Sequence, residues 1–325
     1  MKRHGISGLI LSAFALLSFA PVPSHAEFPD RPITMVLPLG AGGSHDLHAR
    51  GMTPELGKIL GQPVIVKLLP GGAGMKGTEY VASGPADGYT ILFTHNYFDQ
   101  MVPQINKVSF NPLKDLKAVA RINMGTPLFE THAGAPFKTM KEFVAYSKAN
   151  PGKINFGHSG VWSVLYVPAL QLVREAGLKV NFIPHKGGGP LLRALLAGQD
   201  DIGGLFATQS RPHIKAGKLI ALAVVGNERL KGDPDFENVP TTVELGYPSV
   251  AATMDRIVMA PAKTPADRLK ILRDAFEKLS KSAEFKAYVE KIGEHVQFMG
   301  GAEYDQLRPE KYKIFGDLIK EMTAK

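Results

Sequence analysis

The 325-residue sequence contains no cysteine. A disulfide framework, a thiolate metal site, a cysteine nucleophile and a lipid-modified cysteine anchor are therefore excluded. Past the first 26 residues no stretch is apolar enough to span a bilayer, which takes roughly 20 consecutive residues. No internal repeat and no low-complexity tract is present, so collagen, coiled-coil and solenoid designs drop out. Basic residues are scattered through helical patterns without the stripe and interleaved aromatics that nucleic-acid binding requires, so no nucleic acid is expected as a partner. What is present, 44% hydrophobic and 21% charged residues, is the balance of a folded soluble chain at a length where one core divides into two lobes. A net charge of +8 favours anions at long range without naming one.

The amino-terminal segment reads as an address. Lys2, Arg3 and His4 give a positive start, Gly5 to Ala20 carry no charge, Pro21 and Pro23 break the run, and Ser24, His25 and Ala26 supply a small-x-small cleavage pattern. The reading is a signal peptide over 1–26, with the mature chain exported from Glu27 and its net charge lowered to +6 by loss of Lys2 and Arg3.

In the mature chain, short β-branched runs alternate with helical patterns, which predicts an α/β architecture with mainly parallel sheets flanked by helices. Candidate strands are Ile33 to Leu37, Val64 to Leu68, Tyr89 to Thr94, Lys153 to Phe156, Val180 to Pro184, Asp201 to Phe206 and Leu219 to Val225. Thr139 with Glu142 forms a capping box, Thr264 with Pro265 and Asp267 opens a helix, and Leu269, Leu272, Phe276 and Leu279 mark that helix's buried face. Gly51 and Pro54 are expected to kink or shorten the first helix. Irregular stretches at Pro103 to Gly134 and Gly226 to Pro248 suggest that the chain leaves one lobe and later returns. This places 27–125 plus 250–325 in lobe 1 and 126–249 in lobe 2, with two hinge crossings.

Ligands in open parallel sheets bind at the carboxyl ends of strands. The first strand is followed by Gly40, Ala41, Gly42, Gly43, Ser44, His45 and Asp46, where glycines admit a ligand to the backbone and unsatisfied helix amides face outward. The second half repeats the arrangement at Gly157, His158, Ser159 and Gly160 and again at His185, Lys186, Gly187, Gly188 and Gly189. Thr94, His95 and Asn96 end another strand and offer hydrogen bonds.

Sharper motifs fail. His45 stands where a dinucleotide fingerprint needs its third glycine, and Gly77 follows Lys76 where a P-loop needs Ser or Thr. Around Ser159 the second glycine follows immediately, without the intervening residue of a hydrolase elbow. An exported serine hydrolase using Ser159 with His158, His95 or His185 is nevertheless kept as the alternative function. His45 and His48 have a metal-compatible spacing but no converging third ligand, so neither a metal nor a cofactor is expected.

The order of motifs resembles the tripartite tricarboxylate transporter substrate-binding proteins, the Bug receptors, across essentially the whole mature chain. The resemblance is carried by Phe28-Pro29-Asp30-Arg31-Pro32-Ile33, the Gly40 to Asp46 loop, Pro70 to Gly74, Pro85-Ala86-Asp87-Gly88-Tyr89-Thr90, Asn155-Phe156-Gly157, His185-Lys186-Gly187, His213 to Lys218 and Pro240-Thr241-Thr242. It implies a periplasmic, non-catalytic, monomeric receptor of the two-lobed type II periplasmic binding-protein fold. Such a receptor closes on a small carboxylate and delivers it to membrane permease subunits. Carried onto this chain, the ligand contacts would be Ala41, Gly42, Gly43, Thr94 and His95 from one lobe, and His158, Ser159, Gly160, Lys186 and Gly187 from the other. His158 and His185 stand where the family commonly has serine and tyrosine, Val161 and Trp162 replace small polar residues, and Asp255-Arg256 occupies a usually aromatic pair. Arg256 could hold a second carboxylate and Trp162 could stack on a ring. The plainer readings are a surface ion pair and a core indole.

Overall fold

The structure, a computed structural model, describes residues 27–324, so the expected signal peptide lies outside the described residues. Along the chain run β1 (Ile33–Leu37), α1 (Ser44–Leu60), β2 (Val64–Leu68), α2 (Met75–Ala82), β3 (Thr90–His95), α3 (Pro112–Asp115), β4 (Leu116–Gly125) and β5 (Leu128–His132). They are followed by α4 (Met140–Ala149), β6 (Asn155–His158), α5 (Val167–Glu175), β7 (Asn181–Pro184), α6 (Gly188–Leu196), β8 (Ile202–Leu205), α7 (Ala207–Lys215) and β9 (Leu219–Val224). The chain ends with β10 (Met254–Pro261), α8 (Ala266–Lys281), α9 (Ala283–Lys291), β11 (Met299–Gly300) and α10 (Gly301–Thr323).

The strands form two sheets, ordered β11-β4-β10-β3-β1-β2 and β7-β6-β8-β5-β9. The chain passes from the first to the second between β4 and β5, and returns between β9 and β10. Parallel pairs occur where a helix connects successive strands (β1 with β2 and β3, β6 with β7 and β8), as a crossover connection requires. The strands that begin or end a passage between lobes, β4, β5 and β10, run antiparallel to their neighbours. Each sheet is therefore mixed.

Separate apolar clusters fill the two lobes. Ile33, Met35, Phe93, Leu272 and Phe276 pack in one, and Phe129, Phe143, Phe156, Leu191 and Leu195 in the other. The predicted face of α8, Leu269, Leu272, Phe276 and Leu279, is buried, and Thr139 Oγ1 accepts from Glu142 N at 3.2 Å to open α4. α1 runs uninterrupted through Gly51 and Pro54. A side chain at Gly51 would collide with the ring of Tyr288, whose hydroxyl donates to Leu47 O at 2.8 Å, so the glycine admits that ring to the helix surface. α10 ties the lobes together: it packs along β4 and also places Phe315 and Met322 in the second lobe's cluster.

β5 carries Glu130, fully buried, with only Ser210 Oγ among the described residues donating to it, at 2.6 Å. Burial pushes its carboxyl up from 4.5 to about 8, against the lowering effect of that bond. The folded state thus holds a proton that the unfolded chain has released above pH 4.5, and stability drains away as pH rises from there through about 8. Glu130→Gln should raise stability by roughly 2–3 kcal/mol near pH 7 and by little at pH 4.5, read from urea unfolding at both pH values. An equal gain at both would contradict the neutral carboxyl.

Candidate functional site

The turn after β1 delivers the chain into α1 with Gly43 as the N-cap, extended and without a side chain to satisfy the first amides of the helix. Gly42 takes φ +79°, which lets its N–H fold back onto Asp46 Oδ2 at 2.9 Å. On the other lobe the turn after β7 reaches Gly187, φ +113°, which starts α6, again without a side-chain cap. The turn after β8 starts α7 behind Phe206, also uncapped by a side chain. Three helix N-termini, each with the positive end of its dipole, meet at the seam between the lobes.

The seam is tight because it is built from glycine. Gly40 N donates across it to Lys186 O at 2.8 Å. A Cβ on Gly43 would sit 3.2 Å from Gly189 N, and one on Gly189 would run into the carbonyl oxygen of Ala41. Beside this contact is a cavity of about 20 Å³ lined by Gly43, Ser44 and His95 from the first lobe and by Ser159, Gly188 and Gln209 from the second. It has room for about one water. Leu39 and Ser159 also line a second chamber of about 230 Å³, walled by the 71–74 loop, Phe98, Gly160 and Val161, with Lys186 as its ammonium group. Ala73 (φ +51°) and Trp162 (φ +60°) hold left-handed conformations in the loops on either side of this chamber, backbone strain that the surrounding packing must maintain.

The inner cavity sets a few polar groups among Leu39, Val164, Leu165, Phe206 and Met254, and no charged side chain lines it among the described residues. Burial drives the His45 imidazole well below its ordinary range, and burial followed by the nearby Arg256 guanidinium lowers His95 to about 3. Burial also brings His158 down to about 4. These rings stay neutral at physiological pH, so the groups available to an anion are backbone amides, helix dipoles and neutral side chains. His45 Nε2 lies 3.1 Å from Thr94 O. Among the described residues His95 Nδ1 and the hydroxyls of Thr94 and Thr208 are buried with no hydrogen-bond partner, an unusual deficit for a folded interior.

The structure distributes the predicted contacts unevenly. Gly43, His95 and Ser159 line the inner cavity, Gly160 and Lys186 line the outer chamber, and Ala41, Gly42 and Gly187 form the seam. Thr94 lies one residue before His95 on β3, its carbonyl holding His45. His158 is buried behind the cavity, its ring tilted against Tyr166 with centroids 4.7 Å apart, and its Nδ1 accepts from Gly160 N at 3.3 Å. Trp162 packs at 6.0 Å from Tyr166 and joins the apolar clusters of both lobes.

Arg256 is not brought to the lining of either cavity. Its Nη2 donates to Glu294 Oε1 at 2.8 Å and its Nη1 to Asn123 Oδ1 at 3.1 Å, while Nε donates to Ser44 Oγ at 3.1 Å. Nor is Asp255-Arg256 a surface pair, since both are buried and face opposite sides of β10. Asp255 accepts from the Tyr304 hydroxyl at 3.0 Å and from Lys311 Nζ at 2.8 Å. Arg256 thus acts one step behind the site, anchoring the serine that begins α1.

The hydrolase alternative finds no support. Ser159 Oγ donates to Ser163 Oγ at 3.0 Å and has no imidazole base, and His185 is committed to Asp200 at 2.6 Å. His45 and His48 diverge: His48 Nδ1 donates to Ser44 O at 2.7 Å and its other nitrogen faces Glu294.

Sequence reasoning missed Gln209 and Phe206, and it named Ser44 as part of the first glycine turn without making it a contact. The signal was available, because Phe206 to Gln209 follow β8 in the same strand-to-helix position as the three glycine turns that were singled out. No glycine marks this further turn.

Residues 48–324 match the family described as the tripartite tricarboxylate transporter family receptor. A protein of Cupriavidus necator is 32% identical over 99% of this chain and 98% of its own length. The solved periplasmic binding protein BugD superimposes with a TM-score of 0.85 at 26% identity, covering 91% of this chain and 98% of BugD. MatC from Rhodopseudomonas palustris with bound malate gives 0.82 at 27% identity, covering 90% of this chain and 100% of MatC.

Proposed function

We propose, from the premise that the chain belongs to the tripartite tricarboxylate transporter receptor family, that it is a periplasmic receptor that captures a small carboxylate between its lobes. Members of this family are substrate-binding receptors that work with membrane permeases. The carrying observation is the convergence of three N-termini whose own cap residues supply no side-chain hydrogen bond, from α1, α6 and α7, on one cavity at the seam with no charged side chain in its lining among the described residues. Amides aimed at a carboxylate bind it through charge-assisted hydrogen bonds without needing an opposite formal charge. The malate held by MatC supports the same ligand class.

In this reading one carboxylate lies between Gly43, Ser44 and His95 on one side and Ser159 and Gly188 on the other. The rest of the molecule extends into the outer chamber toward Lys186. The inner cavity holds only about one water in this conformation, so the lobes must part to admit a carboxylate there and close again around it. Affinity arises because the guest binds the closed arrangement better than the open one. The receptor acts as a monomer and hands the acid to a membrane permease.

A melting-point screen with malate, adipate, benzoate, glutamate and glucose tests the ligand class. At a concentration a hundred times its Kd, a bound acid should add about 2.7 kcal/mol of stability. A response to glucose alone, with every acid silent, would overturn the proposal.

A further inference from the structure

Gln209 already occupies part of the place assigned to the guest. From the first turn of α7 in the second lobe its Oε1 reaches across the seam and accepts from Ser44 N, the first amide of α1, at 2.8 Å. Its Nε2 donates at 3.1 Å to the carbonyl of Gly188. The two partners fix the orientation of the carboxamide, since an N–H needs the oxygen and a carbonyl needs the nitrogen. The side chain is buried, and a Cβ on Gly188 would approach its oxygen and nitrogen to 2.9 Å, so it has little freedom to sit elsewhere.

Resting on the carboxylate reading, we infer that Gln209 is a resident stand-in for the guest's carboxylate and a determinant of affinity. Its amide oxygen satisfies the α1 terminus and bonds the lobes together with no guest required. An incoming carboxylate must displace that oxygen to reach Ser44 N. The residue therefore does two things that pull in opposite directions. It favours the closed arrangement, and it competes with the ligand for the first amide of α1. A second, independent feature marks the same cavity as a receiving site: His95, lining it, is almost fully buried with Nδ1 unpartnered among the described residues.

Two readouts on the mature chain test this, with malate as the probe. Small-angle scattering in carboxylate-free buffer should give Gln209→Ala a larger radius of gyration than the parent, contracting to the parent's value when malate is added. Calorimetry should show the same variant binding malate several-fold to about tenfold more tightly, because one hydrogen bond no longer has to be displaced. Gln209→Glu, whose carboxylate can still accept from Ser44 N, should keep the compact radius and bind malate more weakly than the parent. Unchanged radius together with unchanged or weaker malate binding in Gln209→Ala would overturn the inference. If malate binds none of the three proteins, the radii alone decide it: an expanded Ala variant beside a compact Glu variant upholds the latch and leaves only the ligand class in error.

Discussion

Gly189→Ala should leave the protein folded and weaken its binding of malate by at least about a hundredfold, a loss of about 3 kcal/mol. Gly189 lies in the first turn of α6 with ordinary helical backbone, a position where alanine is intrinsically preferred to glycine. The three atoms nearest to a new Cβ all belong to Ala41 and Gly42 on the opposite lobe, and the methyl would overlap the Ala41 carbonyl oxygen. The substitution is therefore harmless to each lobe alone and obstructs their approach. If the closed arrangement falls to one molecule in a hundred, apparent affinity falls by the same factor. Calorimetric titration beside a thermal melt separates the two effects. Binding unchanged in a normally folded variant would mean that this seam is not the closure surface.

Glu294→Ala should cost about 3–5 kcal/mol of stability by stranding the buried Arg256 guanidinium. Burial pushes the Glu294 carboxyl up, but the Arg256 charge and then His48 outweigh it and bring the group down to about 2. Burial pulls Arg256 down while the Glu294 charge and hydrogen bond push it back up; a guanidinium keeps its proton in a protein, so the pair is ionic. Because the folded carboxyl titrates below the unfolded one, its contribution is complete above pH 4.5 and is lost as pH falls through about 2. The gap in melting temperature between parent and variant, on the order of 10 °C at pH 7, should narrow near pH 2.5. A variant that melts like the parent at pH 7 would show that the ion pair contributes nothing. Malate affinity should also fall modestly, since Arg256 steadies Ser44 at the head of α1.

β1, β2, β6 and β7 were legible because each is a short apolar run that leads through a glycine turn towards a helix, and β3, β8 and β9 were legible from the run alone. β1, β2 and β9 begin where their patterns do, and the remaining candidates are displaced by one or two residues at their ends. The glycine loops at the first-lobe and second-lobe strand ends were legible for the same reason: only glycine lets two backbones come as near as Gly43 and Gly189 do. β4 and β10 were not legible. β10 carries Asp255 and Arg256 side by side, which reads as surface, yet every residue of the strand is buried. The groups that satisfy those charges, Glu294 and Lys311 by opposite charge and Tyr304 by a hydrogen bond, come from segments 38 to 56 residues away, and no local pattern reports them. β4 hides for a related reason, its Lys117 and Arg121 interrupting an otherwise buried run. Gln209 escaped notice because its role exists only once the lobes meet; along the chain it is one polar residue in the first turn of a helix.

The most direct measurement is a crystal structure of the mature protein grown with malate. It should find a carboxylate oxygen about 3 Å from Ser44 N, with a second-lobe donor from the 159–160 or 187–188 turn on the same carboxylate and the Gln209 oxygen displaced. Malate lodged instead in a separate first-lobe cavity lined by Phe28, Ile59 and Ile271, or bound through Arg256 with Glu294 driven away, would contradict capture by helix termini from both lobes.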